Sequence, residues 1–152
     1  MKAMASVMMV AVLVCILLAL PATALATPPE SLTIEAQMWM TGPDSAAGIF
    51  WTSGLFNDYG YDFGDASEVF FIAADTIHGT KTLVGEHGTI TVNFQAQLTW
   101  TDPRTGVAEG RWVIVSGTGA YEKLHGVGET YAELDLATYT LWASYTGKAH
   151  FD

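Results

Sequence analysis

The chain has 152 residues but one cysteine, Cys15, and few positive charges: six lysines and arginines stand against sixteen acidic residues, a formal net charge of −10. Cys15 lies inside the first apolar run, so once that run is removed neither a disulfide staple nor a thiol nucleophile is available. The acidic balance opposes binding to nucleic acid and to anionic lipid, because both present negative charge themselves. Charge is missing altogether between Lys2 and Glu30. Within that interval residues 7–20 are continuously apolar, Pro21 breaks the run, and Ala24-Leu25-Ala26 supplies the small residues that signal peptidase accepts. Residues 1–26 are therefore expected to be a secretory signal peptide cleaved after Ala26. The product would be a secreted or periplasmic chain, residues 27–152, forming one domain with no stable membrane anchor.

Several chemistries lack their signatures. The four histidines, His78, His87, His125 and His150, show none of the short spacings that gather zinc ligands. No Gly-x-Ser-x-Gly elbow is present. The glycines from Gly117 onward fail as a dinucleotide fingerprint, because Glu122 holds the place of the third glycine and no long helix follows. No metal and no cofactor is expected.

What is abundant is two-residue periodicity. Over 31–40, Leu32, Ile34, Ala36, Met38 and Met40 share one face and polar residues most of the other. Over 89–100, Ile90, Val92, Phe94, Ala96, Leu98 and Trp100 alternate with threonine, asparagine and glutamine, a pattern no helix can use. Further strands are expected at 48–57, 68–77, 81–86, 107–115, 127–136 and 139–151, joined by turn chemistry at Gly42-Pro43-Asp44, Gly79, His87-Gly88 and 102–106. The segment 58–65, rich in glycine and aspartate, reads as a loop at the mouth. Asp58, Asp62 and Asp65 within it are conceivable calcium ligands, and Tyr59, Tyr61 and Phe63 would share a face if the segment were extended. The fold class is all-β: an eight-stranded antiparallel up-and-down barrel, which removes the exposed edges of a sheet.

The most specific stretch is Gly117-Thr118-Gly119-Ala120-Tyr121, with Gly126 and Gly128 beyond it. A short helical turn is expected near 120–124, with Gly126 as its left-handed end and Gly128 as a bulge or a close backbone approach. This glycine-framed pattern resembles the signature of the allene oxide cyclase-like barrel superfamily, shared by plant dirigent proteins. With Gly110-Arg111-Trp112 before it and Leu124-His125-Gly126-Val127-Gly128 after it, the likeness is closest to a family of small bacterial proteins. It covers roughly residues 76–151 and implies an eight-stranded barrel with an apolar cavity; it carries over the scaffold and no catalytic residue.

An acid inside such a barrel would be the informative exception. If Val69, Phe71, Ala73 and Ile77 face inward, so does Asp75; if Val107, Val113 and Val115 do, Glu109 and Arg111 accompany them. The alternative, rim residues or an outer-face Glu109/Arg111 pair, stays open on these mixed strands. Met38, Trp51, Phe71, Phe94, Trp112, Tyr139 and Tyr145 are the candidate ligand-lining residues. The leading expectation is binding of a small hydrophobic molecule in the interior. The alternatives are a cofactor-free cyclase or isomerase of the allene oxide cyclase-like or dirigent type, using Asp75 or Glu109, and a structural barrel with a filled interior that forms a homo-oligomer.

Overall fold

A computed structural model of the chain describes residues 27–42, 45–64, 70–73 and 75–152. The expected leader at 1–26, Pro43-Asp44 of the first turn, and Asp65 lie outside these. Alternation produces the long strands: in β1 (Glu30–Gly42) Leu32, Ile34, Ala36 and Met38 are buried, and in β6 (Thr89–Trp100) Ile90, Val92, Ala96 and Leu98 are. The others are β2 (Ser45–Gly54), β3 (Tyr59–Gly64), β4 (Phe70–Ala73), β5 (Thr76–Gly85), β7 (Thr105–Gly117), β8 (Leu124–Asp135) and β9 (Thr140–Phe151). All pair antiparallel in the order β3-β2-β1-β9-β8-β7-β6-β5, and pairing of β3 with β5 closes the ring. The result is the expected eight-stranded barrel, with β4 as a short extra strand on β5.

The strands that close it are not the ones the sequence suggests. The segment read as a loop contains β3, and the two strands expected at 68–77 and 81–86 are instead β4 and an unbroken β5 with Gly79 inside it. β5 shares one flank between two partners: β4 pairs with Thr76, Ile77 and His78, and β3 with Thr82 to Gly85. The reason for the misreading lies in β3 itself. Its inward positions hold Gly60 and Asp62, while Tyr59, Tyr61 and Phe63 point outward and are exposed. The usual apolar-in, polar-out pattern is inverted there.

Large side chains fill one end of the barrel. Leu32, Leu83, Ile90, Ile114, Tyr121 and Leu124 are buried together, with Leu55, Phe56 and Phe151 against them. That end is shut by the glycine-framed turn. Gly117 ends β7, a 3-10 turn spans Gly119–Tyr121, and β8 begins at Leu124, so the expected helical turn forms slightly earlier than 120–124. Gly119 has φ +61, and a Cβ there would come within 2.4 Å of the His87 carbonyl oxygen. Gly126, expected to end the turn in a left-handed conformation, is an inward residue of β8; a Cβ would meet Ile114 Cδ1 at 2.9 Å. Its role is room for the core, not a change of direction.

Candidate functional site

The barrel interior holds a charged pair. Lys81 on β5 donates from Nζ to Asp62 Oδ2 on β3 at 2.6 Å, with side chains 5 % and 0 % exposed. The pleat dictates this: Gly79, Lys81 and Leu83 occupy one face of β5, and register sets Leu83 opposite Asp62. Met38 Sδ lies 3.4 Å from Lys81 Nζ, and the Tyr145 ring centroid lies 5.0 Å away. Burial alone would push the Lys81 ammonium down, but the neighbouring Tyr145 and Asp62 oxygens outweigh it and hold the group above the ordinary lysine value, and hence protonated. Asp62 Oδ1 is buried and has no hydrogen-bond partner. A buried carboxylate oxygen without a hydrogen-bond partner is costly.

Small residues recur on the inward faces beyond the shut end, among larger ones such as Phe50, Phe94 and Leu141 that pack against the core. Ala36, Ala96, Ala108, Gly110, Ala132 and Ala143 occupy the inward positions of β1, β6, β7, β8 and β9 away from the shut end. The register row through Tyr145 runs to Thr130, Gly110 and Ala96. Ala108 and Ala132 lie opposite one another, each three residues from the rim end of its strand, and both are half-buried.

The shut end has its own polar lock. Tyr121 Oη donates to Asp58 Oδ2 at 2.6 Å, and Asp58 Oδ1 accepts from the backbone N–H of Tyr59 at 2.8 Å and of Glu86 at 3.2 Å. Burial alone would raise the Asp58 carboxyl, but the Tyr121 hydroxyl, those two N–H groups and His87 together bring it below its ordinary value. Burial and the Asp58 contact push the Tyr121 hydroxyl above its ordinary value. Asp58, Glu86 and His87 place ligand atoms within 4.8 Å of one another, but the donors already on Asp58 and the Tyr59 hydroxyl on Glu86 Oε1 occupy this group as a structural lock. Asp58 and Asp62, read together as conceivable calcium ligands, thus serve two different places: the lock and the lumen.

The residues named from sequence divide by parity. Met38, Trp112 and Tyr145 are buried inside, and Phe94 is inward and half-buried. Trp51 is exposed on the outer face of β2, whose inward residue is Phe50. Tyr139 is exposed before β9 begins. Phe71 has its backbone in β4, and its side chain falls outside the description. Asp75 is exposed at the turn into β5, and Glu109 is exposed on the outer wall of β7, where Trp112 and Ile114 take the inward positions in place of Val113 and Val115. Glu109 faces away from the lumen, whereas Asp75 keeps the inward parity of Ile77, Gly79 and Lys81, opposite Leu98, and is exposed where β5 begins. Lys81 and Asp62 were the missed residues; the available signal was a single lysine on the inward parity of one strand and a single aspartate on that of another.

A cleft of about 420 Å³ crosses β1, β9, β8 and β7. Its lining joins outward residues such as Gln37, Glu133 and Trp142 to the inward-parity row Gly106, Leu134 and Leu141 and to strand-end residues, so this cleft lies where the outer wall meets the rim. No family model matches the sequence, and no curated protein matches it. Among solved structures the chain is similar to the pterocarpan synthase dirigent protein GePTS1, at 13 % identity and a TM-score of 0.42, over 88 % of this chain and 99 % of that one.

Proposed function

We propose that the chain is an exported binding barrel whose lumen takes a small, largely apolar molecule bearing one hydroxyl or similar donor. The observation that carries this reading is the unpartnered Asp62 Oδ1, buried beside a protonated Lys81 in a barrel whose inward rows include several alanines and glycines. The apolar wall supplies affinity by burial, and the carboxylate oxygen orients the guest. Native mass spectrometry of the purified protein tests it: a retained small molecule that carries a hydroxyl supports the reading, and a retained species with no polar group removes it. N-terminal sequencing of protein recovered outside the cytoplasm tests the export half, with Thr27 expected as the first residue.

A second reading keeps the same lumen and adds chemistry. A cofactor-free cyclase or isomerase would use Asp62 and Lys81, which are buried inside, rather than Glu109 on the outer wall or Asp75 exposed where β5 begins. Lys81 would stabilise negative charge developing on a bound oxygen, and the small-residue wall would fix the fold of a flexible substrate.

A further inference from the structure

The outer wall of β1, β2 and β3 carries a block of exposed apolar side chains. Trp39, Ile49, Trp51, Tyr59, Tyr61 and Phe63 are each between 41 and 63 % exposed. Register makes them contiguous: Trp51 lies opposite Tyr59, Ile49 opposite Tyr61, and Ala47 lies between Trp39 and Phe63. At about 150–250 Å² per aromatic side chain, the exposed fractions amount to roughly 600 Å². That is the upper limit of the apolar patch a monomer ordinarily shows, about 300–600 Å², and most of the about 800 Å² that each partner contributes to a stable interface.

We infer that this wall is the contact between copies of the chain. The occupant follows from charge as well as area. A chain of net charge −10 repels its own kind over most of its surface, so copies can meet closely only where charge is missing. The block holds no aspartate, glutamate, lysine, arginine or histidine; of the acids nearest in register, Glu35, opposite Trp51, accepts from Ser144 on Oε1 at 2.9 Å and keeps its other oxygen buried, and Glu86 accepts from the Tyr59 hydroxyl at 2.8 Å. An aromatic centre with polar groups at its rim is the composition of a protein interface. A two-fold contact would use the block twice, aromatic face against aromatic face.

Sedimentation velocity of the purified protein, over about 1 to 100 μM, the range where an interface of this size associates, decides the matter. The wild type is expected to self-associate. Tyr61→Glu should weaken it by at least about tenfold, and Ile49→Thr, which keeps β-branching, should weaken it in the same direction. Val127→Glu, an equally exposed site on β8, should leave it unchanged, and circular dichroism should show all three variants folded. A wild type that stays monomeric throughout overturns the inference; so does association that Tyr61→Glu and Ile49→Thr leave intact, or that Val127→Glu weakens as much. A block that instead serves a polysaccharide or a membrane would give that monomeric result.

Discussion

Tyr121 and Asp58, 63 positions apart in sequence, meet at 2.6 Å and tie the glycine-framed turn to the chain crossing the shut end of the barrel. Phe56 packs against the same tyrosine at 4.8 Å between ring centroids. Thr52 completes the closure: its N–H donates to the Asp58 carbonyl at 2.8 Å, and its hydroxyl oxygen accepts from the Asp58 N–H at 2.7 Å. The motif that marks the scaffold in the sequence therefore has a mechanical task, which is to place one hydroxyl.

Tyr121→Phe keeps the ring and removes the donor. It should cost about 1–3 kcal/mol, the penalty for leaving a buried polar group short of a partner. The pH dependence has a definite sign. Asp58 titrates below its ordinary value when folded, so its contribution is fully present above the unfolded carboxyl range, about 4, and is lost as pH falls through the folded value. Urea denaturation across the acid range should show stability falling there, with a shallower fall in Tyr121→Phe.

Breaking the lumen pair on one side should be far worse than removing it. Lys81→Met leaves the buried Asp62 carboxyl without its partner, at a cost of about 3–5 kcal/mol, whereas Asp62→Leu with Lys81→Met removes the pair and should be about as stable as the wild type or more so. Chemical denaturation of the three proteins gives the comparison. A double variant as unstable as the single one would mean that the pair is retained for stability rather than for a guest.

Tyr139 has φ +56 in the turn between β8 and β9, a conformation that a tyrosine reaches only at a cost. Tyr139→Gly should stabilise the protein by about 1 kcal/mol, seen as a rise of a few degrees in the thermal midpoint.

Asp75→Asn and Glu109→Gln should each change stability by less than about 0.5 kcal/mol, since both side chains are exposed, and Glu109→Gln, on the outer wall, should leave ligand retention unaltered. Denaturation and native mass spectrometry together check this.

The strands that alternate cleanly were legible from sequence. β1 and β6 could be read almost residue by residue, because one apolar face of period two fits only a half-buried strand. β3 was not, because its inward side is glycine and a paired aspartate, which locally are the marks of a turn. The parity of β7 was misleading for a related reason: Val113 and Val115 look like core, yet they line the outer wall while Trp112 and Ile114 take the inside. The Lys81–Asp62 pair was invisible for want of register. Each residue alone reads as surface, and only the pairing of β3 with β5 turns two solvated charges into one buried site.

The claim that Asp62 offers an open acceptor to a guest is tested most directly by two probes that differ in one donor. Fluorescence titration of the purified protein with 2-naphthol and with 2-methoxynaphthalene compares an apolar ring with and without a hydroxyl proton. A hydrogen bond to a charged acceptor predicts about 10- to 100-fold tighter binding of 2-naphthol. Equal affinities for the two, or no binding of either, would contradict the account.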